Sequence, residues 1–376
     1  MRPAEGEPAE CCWTDGDPAR LAPLVDAVPP GSAVALAVVR DGVTALSGHG
    51  RVDGRRGDPI TPDTAFELGS VSKTFTALLL AERVARGELD YDLPIDTLLA
   101  PGPRPQLLRG GAITLLHLAT HTSGLPRLPP GLSRTAFARL TNPYEEFTRA
   151  KLLQALARTR IRTSPGSRVR YSNYGVGLLG HLVAGADQPP WDVGTAYADL
   201  LAERVGRPLG LNSTACGPNP VAQAVGHWHG RPVPPWRMPA LPGAGAVRST
   251  ARDLARYLGA HLAAAADQAA PGADQAVRAD DPDGLARALG EVQRPRLVHS
   301  RAPGADELCL VWNLRRLDGC QLLFHGGATR GFTTFIGFCP QARAGVAALT
   351  NTGPTLDGRF GQAAYQVLKS LLPCSV

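Results

Sequence analysis

Long apolar runs are missing from this chain of 376 residues. No stretch reaches the roughly 18 consecutive apolar residues of a membrane-spanning helix, so no membrane partner is expected. Met1-Arg-Pro-Ala-Glu-Gly-Glu-Pro-Ala-Glu10 is acidic and holds no apolar core, so it is not expected to act as a secretory leader. Seven cysteines, an odd number with Cys11 and Cys12 adjacent, do not make a disulfide framework. Together these absences predict a reduced, cytoplasmic protein. The net charge is +6, but the arginines are scattered, without the basic stripe and interleaved aromatics of a nucleic-acid binder. No nucleic-acid partner is expected. Metal-ligand spacing is equally scarce. His227-Trp228-His229 comes nearest, yet its neighbours are prolines and apolar residues, so neither metal nor other cofactor is expected.

Lysine is the scarcest charged residue. Lys73, Lys151 and Lys369 stand among 39 basic residues, the others all arginine. One of the three lies in Gly69-Ser70-Val71-Ser72-Lys73-Thr74-Phe75. An arginine stays protonated at any pH a protein meets, whereas a desolvated lysine can lose its proton and act as a base. Residues i and i+3 share a helix face, which brings Ser70 Oγ and Lys73 Nζ within hydrogen-bond reach. The following Thr74 to Ala81 run is mostly apolar and predicts a helix buried nearly all round. At its N-terminus a serine alkoxide gains from the helix dipole, and a neutral lysine amine can take the serine's proton.

What is present elsewhere describes a globular protein with ample core: 44% of residues are hydrophobic and 19% charged. A helix is predicted near Pro18 to Val28. Strands at 33–40 and 43–48 flank Asp41-Gly42, and strands at 310–317 and 320–325 flank Asp318-Gly319, both two-residue hairpin signals. Strands near 333–339 and 345–350 and a helix near 360–372 follow. Helices are predicted over 115–120, 144–157, 174–184, 193–204 and 250–264, with an irregular Pro-rich stretch from 218 to 242. Residues 263–288 read as a weak helix or a mobile surface segment. The fold class is α+β: an antiparallel sheet built from both chain ends and covered by terminal helices, with an inserted, mainly helical region. In residue terms this gives a tail over 1–17, a sheet domain over 18–99 and 305–376, and a helical domain over 100–304.

Two further patterns stand out. Tyr171-Ser172-Asn173 follows a turn and opens a Gly-punctuated helix, and His325-Gly326-Gly327-Ala328 ends a strand where glycines admit a ligand to the backbone. Taken in order, Ser70-x-x-Lys73, Tyr171-x-Asn173 and His325-Gly-Gly327 resemble the three-motif set of serine β-lactamases and penicillin-binding proteins. The nearest branch is that of class C β-lactamases, D-Ala-D-Ala carboxypeptidases and related esterases, whose second motif opens on tyrosine. Phe66-Glu67-Leu68-Gly69, the 113–126 segment ending Thr-Ser-Gly-Leu-Pro126, Pro208 to Thr214, Arg248 to Leu254 and Leu349-Thr-Asn351 resemble it as well. The resemblance runs from about residue 20 to 372 and implies a β-lactamase/transpeptidase-like fold.

It also implies roles. Ser70 would be the nucleophile that becomes acylated, and Lys73 and Tyr171 would share the proton work. Asn173 would orient Lys73 and hold a substrate amide or carbonyl. The backbone N–H groups of Ser70 and Ala328 would form an oxyanion hole. His325, Gly326 and Gly327 would line the substrate site, and His117 and His121 would be structural. Two departures matter. His325 replaces the usual lysine of the third motif, so activity is expected to vary with pH around an imidazole pKa of about 6.5. Gly326 replaces a hydroxyl residue that helps to bind the substrate carboxylate; Arg330 is the candidate to compensate, its plain alternative being a solvated turn residue. With no leader expected, these departures favour a cytoplasmic esterase or acyltransferase. Its partners would be a small ester, thioester or amide as acyl donor and a second molecule as acyl acceptor. A β-lactamase or D-Ala-D-Ala carboxypeptidase is the first alternative, and a non-catalytic binding or sensory domain the second.

Overall fold

The computed structural model describes residues 11–14, 17–54, 56–99, 104–132, 142–185, 196–217, 221–269, 284–298 and 306–373. At its centre lies a nine-stranded sheet. Across it run Cys11–Thr14, Val43–His49, Val34–Arg40, Ala344–Thr350, Thr333–Cys339, Cys320–Ala328, Asn313–Leu317, Glu307–Leu308 and Leu297–Val298, each antiparallel to the next. Both ends of the chain thus meet in one sheet, as the hairpin spacing predicts. Arg40 pairs with Val43 and Leu317 with Cys320, while Asp41-Gly42 and Asp318-Gly319 take the positive φ angles that a tight hairpin turn requires.

The sheet is buried on both faces, and Val34–Arg40 shows how. Val34, Leu36 and Val38 join a core with Leu21 and Leu24 of helix Pro18–Asp26 and Phe360, Ala364, Val367 and Leu368 of helix Arg359–Lys369. Ala35, Ala37 and Val39 point the other way, into the larger core. Alternation of period two therefore coexists with a continuous apolar run, since each face has its own cover. On the second face helix Ala251–Ala269 packs on the sheet. Behind it helix Ser72–Ala85 runs between Leu285–Glu291 and Asn173–Gly185. From Ser72 to Arg83 every residue of that helix is buried, and Phe75 stacks on Tyr257 at 4.3 Å. Each large apolar side chain enclosed this way contributes about 1.5–3 kcal/mol, which anchors the helix without an N-cap side chain.

Several boundaries differ from expectation. Cys11–Thr14, placed in a tail by sequence, is the edge strand beside Val43–His49. The strand expected from residue 310 starts at Asn313, because Val311 has a φ of 67° that interrupts extended backbone. The helix expected from 144 starts at Arg149: Thr148 caps it by accepting from the Lys151 N–H, and Pro143 to Glu146 form turns. In the 193–204 region Ala196–Leu201 is α-helical and continues as a π-helical turn, Ala202–Gly206; residues 193–195 lie outside the described ones. The Pro-rich stretch holds a small hairpin, Gly226–Trp228 with Arg231–Val233. Residues 270–283 lie outside the described ones, but Leu285–Glu291 is a firmly packed helix with Leu285, Ala288 and Leu289 buried. Helix Ala251–Ala269, assigned by sequence to the helical insertion, belongs by its packing to the sheet. Among the described residues no helix is long and apolar enough to cross a membrane.

Candidate active site

The loop before Ser70 is held at close quarters. Leu68 donates its N–H to the Val247 carbonyl and accepts Thr334 Oγ1–H at 2.8 Å. Gly69 follows with a φ of 51°, and a Cβ there would lie 2.5–2.7 Å from the backbone of Ala328. Only glycine satisfies both conditions. The chain then turns through a single 3₁₀ turn, Gly69–Val71, into helix Ser72–Ala85. The contact sets the backbone of the Ser70 turn beside Ala328 at the end of the Cys320–Ala328 strand, and Ser70 and Ala328 both face one cleft. The cleft has a volume of about 660 Å³.

Two side chains meet at Ser70. Lys73 Nζ is 2.9 Å from Ser70 Oγ and donates to the Ala244 carbonyl at 2.7 Å. Tyr171 donates its phenolic O–H to Ser70 Oγ at 2.6 Å. Lys73 is 0% exposed, and this burial, reinforced by the Arg127 charge, holds its pKa well below the ordinary lysine value. Burial has the opposite effect on the phenol of Tyr171, pushing it up to about 12 against the hydrogen bond to Ser70 and the Arg127 charge, which lower it. Burial thus favours the uncharged amine of Lys73 and the intact phenol of Tyr171. With Tyr171 donating to Ser70 Oγ, the serine's own hydrogen can point at the lone pair of Nζ.

Asn173 lines the cleft as expected, but its side-chain hydrogen bond goes to Tyr144 and not to Lys73. Its Nδ2 donates to Tyr144 Oη at 2.9 Å, and its buried Oδ1 has no partner. Lys73 is oriented instead by the Ala244 carbonyl, in the short helix Pro242–Gly245. That helix packs closely enough that a Cβ on Gly243 would lie 2.8 Å from Thr76 Oγ1 and 3.1 Å from the Gly180 Cα.

His325 corrects the expected pH response. It is 4% exposed and its Nδ1–H donates to the Gly326 carbonyl at 2.7 Å. Burial first, and then the neighbouring Lys73, lower its pKa to about 3, so the imidazole is neutral throughout the neutral range and does not titrate near 6.5. The two glycines beyond it differ sharply. A Cβ on Gly326 would meet nothing nearer than the Thr334 carbonyl at 4.0 Å, whereas one on Gly327 would collide with the Leu68 carbonyl and Thr334 Oγ1. Gly326 leaves open space in the cleft; Gly327 admits the Ser70 turn.

Arg330 is not part of this arrangement. Its guanidinium lies over the Trp228 ring at 4.9 Å, and it does not line the cleft. The arginine that does is Arg127, 5.2 Å from the centre of the Tyr171 ring. Sequence reading missed it, together with Tyr144, Trp236 and the Ala244 carbonyl. Arg127 directly follows the Thr122-Ser-Gly-Leu-Pro126 segment, so a local signal existed; the other three come from distant parts of the chain. His117 accepts the Thr114 N–H, and His121 accepts the Ser172 N–H while its ring packs on Tyr171 at 4.7 Å. His227 Nε2 stands 3.4 Å from Asp53. Among the described residues no group of three or more His, Cys, Asp or Glu side chains could hold a metal. Cys309, Cys320 and Cys339 are buried free thiols.

Comparison with known proteins adds an independent line. The family described as Beta-lactamase matches residues 26–370. The D-alanyl-D-alanine-carboxypeptidase/endopeptidase AmpH of Escherichia coli (strain K12) is 27% identical over 330 residues, covering 85% of this chain and 80% of that protein. A Beta-lactamase of the same organism is 34% identical over 238 residues, 62% of this chain and 56% of its own length. A Beta-lactamase of Yersinia enterocolitica is 28% identical over 379 residues, with 91% and 87% covered. The crystal structure of a Beta-Lactamase/D-Alanine Carboxypeptidase from Pseudomonas syringae superimposes with a TM-score of 0.74 at 23% identity, covering 95% of this chain and 98% of that one.

Proposed function

Because this chain belongs to the Beta-lactamase family of serine hydrolases, we propose that it cleaves an amide, in a D-alanyl peptide or a β-lactam ring, through an acyl-enzyme on Ser70. One observation carries the mechanism: Ser70 Oγ lies within 2.9 Å of a buried amine and 2.6 Å of a phenol. Ser70 Oγ attacks the carbonyl carbon as its proton passes to Lys73 Nζ. The oxyanion is met by the backbone N–H groups of Ser70 and Ala328, donors of a kind worth about 10²–10³ in rate apiece. The C–N bond then breaks while Tyr171 gives its proton to the departing nitrogen and is reprotonated from Lys73. Water attacks the resulting ester and restores Ser70. The substrate class is supported by the relatives, whose names are those of β-lactamases and a D-alanyl-D-alanine carboxypeptidase/endopeptidase.

The esterase or acyltransferase expected from sequence stands as the second reading. A specific observation favours it: His325 is neutral and Gly326 offers no hydroxyl, so this strand binds a carboxylate poorly. Intact-protein mass spectrometry with a penicillin, an N-acyl-D-Ala-D-Ala peptide and 4-nitrophenyl acetate separates the readings. The amide reading expects a Ser70 adduct with penicillin and release of D-Ala. Adducts from the ester alone, discharged faster by added amine, would replace it with the second reading. No adduct from any donor would leave the binding or sensory domain.

A further inference from the structure

The cleft is short of charge where its substrate must be recognised. Among the described residues that line it, Arg127 is the one with a permanently charged side chain, and no aspartate or glutamate joins it. Lys73 is enclosed behind Ser70 and occupied by Ala244, and Arg330 is spent on Trp228. Arg127 is exposed and forms no ion pair among the described residues, its one close partner being the Tyr171 ring at 5.2 Å.

Its backbone is fixed. The Arg127 carbonyl accepts the Asn173 N–H at 2.9 Å and the Tyr174 N–H at 3.3 Å, and the preceding Pro126 carbonyl accepts Ser172 Oγ–H at 2.7 Å. The residue is therefore moored to the same segment that carries Tyr171. The guanidinium stands over the ring whose hydroxyl touches Ser70 Oγ. Its positive field reaches Lys73 and Tyr144 as well as Tyr171. A planar guanidinium of this kind takes a carboxylate with two parallel hydrogen bonds.

We propose that Arg127 is the specificity-determining residue for substrates whose leaving group carries a carboxylate, the role that the sequence assigned to Arg330. This rests on acylation of Ser70 and deepens the amide reading by naming the feature of the substrate that is bound. No bond is made or broken at Arg127; it acts on binding and alignment of the leaving portion.

The test is a matched pair of esters that needs no D-Ala activity: 3-acetoxybenzoate, whose leaving phenol bears a carboxylate, and methyl 3-acetoxybenzoate, whose leaving phenol does not. The readout is the ratio of kcat/KM for the acid to that for the methyl ester. The Arg127→Gln variant is expected to lower this ratio about 10²-fold, mainly through KM, as the loss of a charge-assisted pair would do. Arg127→Lys is expected to recover part of it, because charge remains while the bidentate fork is lost. Arg330→Gln is expected to leave the ratio unchanged. An unaltered ratio in Arg127→Gln, or a collapse in Arg330→Gln, overturns the proposal. Failure of the amide reading looks different: the wild type would release no D-Ala from an acyl-D-Ala-D-Ala peptide while the ester pair still distinguishes the variants.

Discussion

The floor of the cleft and its rim follow opposite designs. On the floor, Lys73 and Tyr171 are each hydrogen-bonded to Ser70, and Lys73 also to the Ala244 carbonyl. On the rim, Gly326 faces open space, Asn173 Oδ1 has no partner, and Arg127 has none but an aromatic face. A satisfied, buried cluster is preorganised and does one reaction. Groups left open around it are available to a substrate, and one of them, Gly326, is where this chain departs from the family's third motif. The chemistry is thus a property of the floor, and selectivity a property of the rim.

Substitutions on the floor are the largest test of that contrast. Ser70→Ala should abolish covalent adducts, read by intact mass. Lys73→Arg should lower acylation by about 10³-fold although it keeps the charge, because a guanidinium cannot accept the proton. A wild-type burst rate in that variant would remove Lys73 from the role of base. Tyr171→Phe should lose about 10²–10⁴-fold in kcat, with its KM little changed if the phenol acts only on the leaving group.

The two adjacent glycines of the third motif give a smaller, sharper comparison. Gly327→Ala should cost about 1–3 kcal/mol in chemical denaturation, since its methyl group has no room beside Leu68 and Thr334. Gly326→Thr should fold normally and raise penicillin turnover several-fold by restoring a hydroxyl in open space. If the two variants behaved alike, floor and rim would not be separate.

The pH profile is the smallest effect. The active form has neutral Lys73, so acylation is lost as pH falls through its lowered pKa. The active phenol persists until pH rises toward about 12. His325, with a pKa near 3, adds no inflection around 6.5. A single limb near 6.5 that disappears in His325→Gln would show the imidazole to be charged after all.

Much of this was legible beforehand. The Asp-Gly pairs between apolar runs located the central strands, because a hairpin turn is set by residues close in sequence. The Ser70 to Lys73 spacing was equally readable, since one helical turn fixes it. Their convergence with Tyr171 required the second and third motifs together, and the resemblance supplied that order. What escaped was of another kind. Arg127 and Arg330 each follow a motif segment and carry the same charge, so that local signal marks both and does not say which of them lines the cleft. Nor does a backbone carbonyl such as that of Ala244 leave any mark in composition.

Residue order alone therefore determined which side chains are candidates for the reaction and which elements carry them, because those depend on side-chain chemistry and on spacing within one turn or one hairpin. Only the tertiary structure decided how far burial disfavours charge on Lys73 and His325, the partner of Asn173 and the arginine at the cleft. Each of these depends on burial and on neighbours tens to hundreds of residues away, and desolvation is a property of the packed interior rather than of any stretch of chain.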